Sequence, residues 1–303
     1  MSRKERIKKY KSFLSIGFLI LFAAGGIWGA SKYHALPSPS PSVHKVVHIS
    51  FDDVVMVLKE LRDHADEYES IFDCRFFKDL KDLQDSYGAK FTLFIFEETS
   101  DFTIVEIPRK FKNEFKANAS WLRFGFHAKA PDSSRDLAPY DFLSSFCRVR
   151  SAIEEFADSS SVSSVLRLDY YYATDSMVTE MNRTGYVTGL LCADDERVSY
   201  NLTPQENKLL QQCFFIQKDV KYFKTDVRYE NVWSVDYSLA LLQNRDTLVL
   251  FTHEWAYLPQ TPLQWMSRHL ITPSLQANWR TRQKVRESIK WLQEHKYKFD
   301  FLE

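Results

Sequence analysis

The chain has 303 residues, of which 45% are hydrophobic and 26% are charged, a composition typical of a globular protein rather than a disordered one. Its 40 basic and 40 acidic side chains leave no net charge, which excludes a strongly basic nucleic-acid-binding protein. Only 8 glycines occur, and four lie at positions 17, 25, 26 and 29, so neither a P-loop nor a GxGxxG loop can be formed from the rest.

The first 42 residues predict a membrane anchor followed by a spacer. Residues 1–12 carry six basic side chains against Glu5 alone, and residues 13–30 contain no charged residue. An uncharged apolar run of this length is about the minimum that crosses a bilayer, and a positive head stays in the cytoplasm. We therefore expect a single-pass protein of the cell membrane with its C-terminal domain outside the cytoplasm; a signal peptide is the alternative. Residues 31–42 alternate Pro and Ser, as extended linkers do.

Residues 43–303 form one predicted domain, because they contain no second Pro/Ser linker, no repeat and no long run of charge. Apolar runs predict strands at 46–50, 90–96, 186–193 and 247–252, and helical spacing predicts helices at 76–87, 175–184 and 281–295. Repeated helix, glycine and apolar strand favour an α/β fold with a mainly parallel sheet, open or closed into a barrel. The four cysteines could form disulfides or be buried thiols, and their spacing selects neither.

Ionisable side chains follow the predicted strands, at the ends where α/β folds gather their chemistry. They are Asp52, Asp53, His127, Arg167, Asp169, Asp194, Asp195, His253 and Glu254. Two histidines with a pair of carboxylates suit a metal-dependent hydrolase or a two-carboxylate glycosidase. Structural roles are also open: aspartates cap helices, and an arginine can serve as an ion-pair partner.

The order of these residues resembles that of the polysaccharide deacetylases with a NodB-type domain, the family-4 carbohydrate esterases. Five motifs match in order, and none of them is specific alone. The five matching segments are Ser50-Phe51-Asp52-Asp53-Val54, His127-Ala128-Lys129-Ala130-Pro131, Arg167-Leu168-Asp169-Tyr170, the pair Asp194 and Asp195, and Leu250-Phe251-Thr252-His253. The segment Gly88–Phe94, between the first two, also matches the family pattern. The resemblance implies a distorted (β/α) barrel.

The resemblance also implies roles for the matched positions. Asp53 and His127 would bind a divalent metal, with zinc the first choice, and Asp52 would be the base that activates water. Arg167 would orient that base. His253 would protonate the departing amine, and Asp194 would tune His253.

The second motif departs from the family pattern at a metal ligand. Pro131 occupies the position of the family's second histidine and has no ligating side chain. Asp132, Asp169 or His253 could supply the third ligand instead. Tyr170 and Trp255 could stack on a sugar ring, although packing explains such aromatics equally well.

Three functions follow as hypotheses. The favoured one is a divalent-metal-dependent hydrolase that removes N-acetyl groups from a polysaccharide or peptidoglycan-type glycan outside the cell. A catalytically inactive relative that only binds glycan is the second. A glycosidase that uses carboxylates such as Asp52 and Glu254 is the third.

Overall fold

The computed structural model describes residues 45–258 and 281–302, which belong to the unit from His44 to Glu303. The predicted basic head, transmembrane segment and Pro/Ser linker lie outside the described residues. Within the described ranges, no helix has the length and the apolar composition that crossing a bilayer requires. The four cysteines fall inside these ranges, and each is a free thiol there.

The described chain alternates strands and helices along most of its length. The strands are β1 (Lys45–Val54), β2 (Phe91–Phe96), β3 (Glu98–Thr99), β4 (Phe102–Thr103), β5 (Leu122–Ala128), β6 (Val165–Leu166), β7 (Gly189–Leu191), β8 (Phe215–Gln217), β9 (Lys221–Phe223), β10 (Val227–Arg228), β11 (Thr247–His253) and β12 (Tyr297–Phe299). The helices are α1 (Met56–Asp63), α2 (Arg75–Tyr87), α3 (Lys112–Asn118), α4 (Pro139–Phe156), α5 (Asp175–Arg183), α6 (Pro204–Gln212), α7 (Val235–Leu242), α8 (Glu254–Tyr257) and α9 (Thr281–Glu294). The predicted α/β class is confirmed.

A six-stranded sheet forms one side of the domain, and its strand pairs are parallel. The order is β10-β11-β1-β2-β5, and β12 pairs with the start of β1. β1 lies in the centre, where it is buried among neighbours on both edges, which explains its nearly continuous apolar start. Since parallel strands run in one direction, their C-terminal ends share one edge of the sheet. Asp52, Asp53, His127 and His253 lie at that edge.

A four-stranded sheet, β6-β7-β9-β8, forms the other side. It joins the first sheet at Phe124, which makes a parallel bridge with Val162 just before β6. At the opposite edge the chain from 221 to 228 passes from one sheet to the other, because β9 pairs with β7 and β10 pairs with β11. The two seams close the strands into a distorted barrel.

The predicted helix–glycine–strand units are present, with differences in length. α2 ends at Gly88, whose φ of 69° is the left-handed conformation that glycine adopts without strain. Gly185 follows α5 with a φ of 71°. The strand predicted over 186–193 is shorter than expected, since β7 contains only Gly189–Leu191.

Candidate metal centre and active site

A β-bulge at the end of β1 directs two adjacent aspartates toward the same site. The register between β1 and β2 shifts between Phe51 and Val54, and Asp53 has a φ of 58°. In a regular strand Asp52 and Asp53 would point to opposite faces, and a bulge re-aims one of them. Aspartate tolerates this left-handed backbone better than most residues do. The strand continues through Val54, which is buried.

Three side chains bring potential metal ligands together at this edge. One donor atom each from Asp53, His127 and Asp169 lies within 4.8 Å of the others. Asp53 Oδ1 is 3.2 Å from His127 Nε2. One imidazole nitrogen and two carboxylates form a donor set that suits zinc and similar divalent ions, with a position left for water or substrate.

His127 is oriented for ligation by a second contact. It is buried on β5, and its Nδ1 donates a hydrogen bond to the backbone carbonyl of Arg167 at 2.6 Å. This leaves Nε2 directed at Asp53, as is usual for a ligating histidine. Burial opposes the charged imidazole, but the hydrogen bond to Asp53 and the charges of Asp52, Asp53 and Asp169 together outweigh burial and raise the pKa of His127 to about 9. Burial also opposes the charged form of Asp53, yet His127, His253 and the Trp255 N–H together lower the pKa of Asp53 well below its ordinary value.

Asp169 is the third residue of this possible ligand set. It is one of the three residues that the sequence left open as the third ligand. It begins a 3-10 turn, Asp169–Tyr171, in which Tyr170 and Tyr171 have φ values of 54° and 53°. Burial raises the pKa of Asp169, and the negative charge of the nearby Asp53 raises it further. Asp132 instead accepts a hydrogen bond from the Tyr170 hydroxyl.

Asp52 faces the barrel interior and pairs with Arg167. Arg167 is fully buried, and its Nη1 is 3.2 Å from Asp52 Oδ1 and 2.7 Å from Ser50 Oγ. Its Nη2 donates to Thr225 Oγ1 at 3.1 Å. The guanidinium is thus fixed from both sheets, and it fixes one oxygen of Asp52 in turn.

His253 lies across from Asp52, since the two residues are direct partners in the β1–β11 ladder. Its Nδ1 is 3.1 Å from Glu230 Oε1, and the same oxygen accepts the His253 backbone N–H at 2.7 Å. Burial lowers the pKa of His253, but the hydrogen bond to Glu230 and the charges of Glu230, Asp53 and Asp52 together outweigh burial and raise it. His253 Nε2 is 3.9 Å from Asp53 Oδ2, outside the group of three ligands.

The carboxylate in contact with His253 is Glu230. Asp194 follows β7 in the four-stranded sheet, and its carboxylate accepts a hydrogen bond from Asn231 at 3.2 Å. Glu230 follows β10, the direct neighbour of β11, and the register places it next to His253. Sequence reasoning missed Glu230 because β10 has two residues. The short alternation of polar and apolar residues in 226–230, which ends on this glutamate, was the available signal.

The two aromatic candidates occupy different surroundings. Tyr170 is 44% exposed beside Asp132, and the guanidinium of Arg135 lies 5.0 Å from its ring centre. Trp255 stacks on His253 and donates its indole N–H to Asp53 Oδ2 at 2.9 Å. Tyr170 is thus exposed to solvent, whereas the indole of Trp255 contacts both Asp53 and His253.

Glu254 is committed to the backbone. Its buried carboxylate accepts the N–H groups of Val55, Met56 and Val57 at 3.0, 2.7 and 2.8 Å, which caps the start of α1. Burial raises its pKa to about 7, against the opposing effect of these three donors.

Comparison with known proteins finds similarity of structure only. No family model and no curated protein matches the chain. The catalytic domain of a peptidoglycan N-acetylglucosamine deacetylase from Eubacterium rectale is 13% identical over 89% of this chain and 93% of that one, with a TM-score of 0.43. A family 4 acetyl xylan esterase from Clostridium thermocellum, in complex with a cobalt ion, is 12% identical over 84% and 87%, with a TM-score of 0.45.

A 4-alpha-glucanotransferase from Thermococcus litoralis gives a TM-score of 0.53 at 8% identity, over 85% of this chain and 39% of that enzyme. This likeness is one of fold. By their names, the Eubacterium rectale protein is a deacetylase and the Clostridium thermocellum protein is an esterase. At these identities none of the three defines a residue's role.

Proposed function

We propose that this protein is a divalent-metal-dependent hydrolase that removes N-acetyl groups from a carbohydrate. The observation that supports it most is the spacing of three functional groups at one edge of the barrel. The possible ligands Asp53, His127 and Asp169 lie beside the Asp52–Arg167 pair and the His253–Glu230 pair. A ligand set, a base and an acid are the parts that amide hydrolysis requires.

The donor set fits a metal ion, and zinc is the ion that we propose. His127 keeps Nε2 for ligation because Nδ1 is bonded to a backbone carbonyl, and two carboxylates balance the charge of a divalent cation. When bound, such an ion supplies Lewis-acid polarisation of the acyl carbonyl and of water.

The protein's own groups carry the proton transfers in this mechanism. Asp52 takes a proton from the attacking water, and Arg167 keeps its carboxylate oriented. As the C–N bond breaks, His253 donates a proton to the leaving amine, and Glu230 stabilises the positively charged imidazole. The raised pKa of His253 favours the protonated form that an acid needs. The products are acetate and a free amino sugar.

A glycosidase that pairs Asp52 with Glu254 has less support from the geometry. Both oxygens of Glu254 are engaged by backbone N–H groups at the start of α1, so that carboxylate serves as a helix cap.

The proposed setting is the outer face of the cell membrane, with a polysaccharide or peptidoglycan-type glycan as the substrate. The charged head and uncharged run of residues 1–30 support the anchor, and the exposed ring of Tyr170 supports sugar stacking beside the site.

The test is acetate release by the full-length protein in detergent, assayed on N-acetylated glycan with and without added zinc. We expect metal-dependent release of acetate without new reducing ends. New reducing ends without acetate would indicate a glycosidase. Glycan binding without turnover in metal-supplemented protein would indicate an inactive relative.

A further inference from the structure

The indole of Trp255 joins two functional groups of the site. Its Nε1–H donates to Asp53 Oδ2 at 2.9 Å, and its ring stacks on the His253 imidazole with centres 5.1 Å apart and planes inclined by 27°. Trp255 therefore contacts the proposed metal ligand of β1 and the proposed acid of β11 at once.

The residue before Trp255, Glu254, contacts the backbone that directly follows β1. Glu254 binds the three backbone N–H groups that follow Asp53 and Val54, while Trp255 binds the Asp53 side chain. Asp53 has the left-handed backbone, which costs free energy and persists only when its surroundings hold it. Glu254 thus fixes the backbone after the bulge, and Trp255 fixes the carboxylate of Asp53.

We propose that Trp255 is a positioning residue for the metal site, in that its indole N–H occupies Asp53 Oδ2 and reserves Oδ1 as a single ligand atom. This rests on the proposed function. A carboxylate with both oxygens open can rotate or bind a metal through both; a donor on one oxygen removes these options. Oδ1 is the oxygen that faces His127 Nε2 at 3.2 Å, which agrees with this assignment. This role differs from sugar stacking, the role that the sequence suggested for Trp255.

The experiment compares Trp255→Phe with Trp291→Phe in the full-length protein. Phenylalanine keeps an aromatic ring against His253 and removes the N–H donor, together with part of the volume of the indole. Trp291 offers a matched control, since it stacks on His295 with ring centres 3.6 Å apart in the C-terminal helix. Zinc and cobalt affinities are measured by chelator competition, and thermal unfolding is recorded without metal.

We expect Trp255→Phe to weaken metal binding about 10- to 100-fold, the usual effect of losing a partner behind a ligand, while Trp291→Phe binds as the wild type does. The metal-free unfolding temperatures of the two variants should be similar. Equal metal affinity of wild type and Trp255→Phe would overturn the proposal while leaving the metal site intact.

A second arm needs no metal and separates this proposal from the proposed function. In a ¹⁵N-tryptophan-labelled sample, the indole resonance that Trp255→Phe removes belongs to Trp255. In the metal-free protein we expect Asp53→Ala to move this resonance and to speed its hydrogen exchange. A resonance that does not respond to Asp53→Ala would refute the hydrogen bond. If wild-type protein binds no metal but the Trp255 resonance still responds to Asp53→Ala, the hydrogen bond is supported. The metal-dependent function and the role of Asp53 as a ligand are then contradicted.

Discussion

The long strands of the six-stranded sheet and the short strands of the four-stranded sheet contribute to the site in different ways. β1, β5 and β11 contain ten, seven and seven residues, and the β1–β11 register places Asp52 beside His253, while the bulge at the end of β1 brings Asp53 near His127 of β5. β6 contains two residues, and a 3-10 turn with two left-handed tyrosines places Asp169. Strand register positions the proposed base and acid, whereas a turn with two residues of positive φ positions one of the proposed metal ligands.

The variant Asp52→Asn tests the proposed base at the end of the long strand β1, and we expect it to have the largest effect. The amide keeps the size and can still face Arg167, but it cannot accept a proton from water. We expect acetate release to fall by about 100- to 10,000-fold, the usual contribution of a general base. Initial rates in metal-supplemented protein measure this, with metal content as the control. Turnover within a few-fold of wild type would rule out Asp52 as the base.

A pair of variants compares one carboxylate from each sheet. Glu230→Gln removes the charge beside His253, so we expect acetate release to fall by about 100-fold and the alkaline limb of its pH profile to move to lower pH. Asp194→Asn changes a side chain that bonds to Asn231, so we expect a rate within about two-fold of wild type, as for most changes away from the reacting groups. The opposite ranking would restore the role that the sequence suggested for Asp194.

A smaller effect concerns the seam between the sheets, where Asp226 accepts the Val249 N–H at 3.0 Å. Burial raises the pKa of Asp226 from 3.8 to about 6. The protonated carboxyl therefore stabilises the folded state at low pH, and this contribution is lost as the pH rises through about 6. The free energy of unfolding of wild type relative to Asp226→Asn should fall by about 2 kcal/mol between pH 4 and pH 7. Urea unfolding of both proteins at several pH values measures it, and parallel pH curves would contradict it.

The sequence predicted the ends of long strands better than the ends of short ones, for a physical reason. Asp52, Asp53, His127 and His253 follow long apolar runs, so their strands and shared edge were predictable. Glu230 was missed, and Asp194 was predicted beside His253 in its place, because two- and three-residue strands such as β10 and β7 leave almost no periodicity in either sheet. The sequence did not decide between Asp132, Asp169 and His253 as the third ligand, because the position of Asp169 depends on the turn Asp169–Tyr171. The residues with positive φ in this turn are Tyr170 and Tyr171, and tyrosine, unlike glycine, is not a sequence signal for such a turn.

Metal binding by Asp169→Ala tests the central claim most directly, that a turn of the short-strand half supplies the ligand absent at Pro131. We predict that wild-type protein binds one zinc or cobalt ion per chain in calorimetry, and that Asp169→Ala loses about 100-fold or more in affinity while Asp132→Ala binds as wild type. Unchanged affinity in Asp169→Ala, or loss of binding in Asp132→Ala instead, would contradict this account of the site.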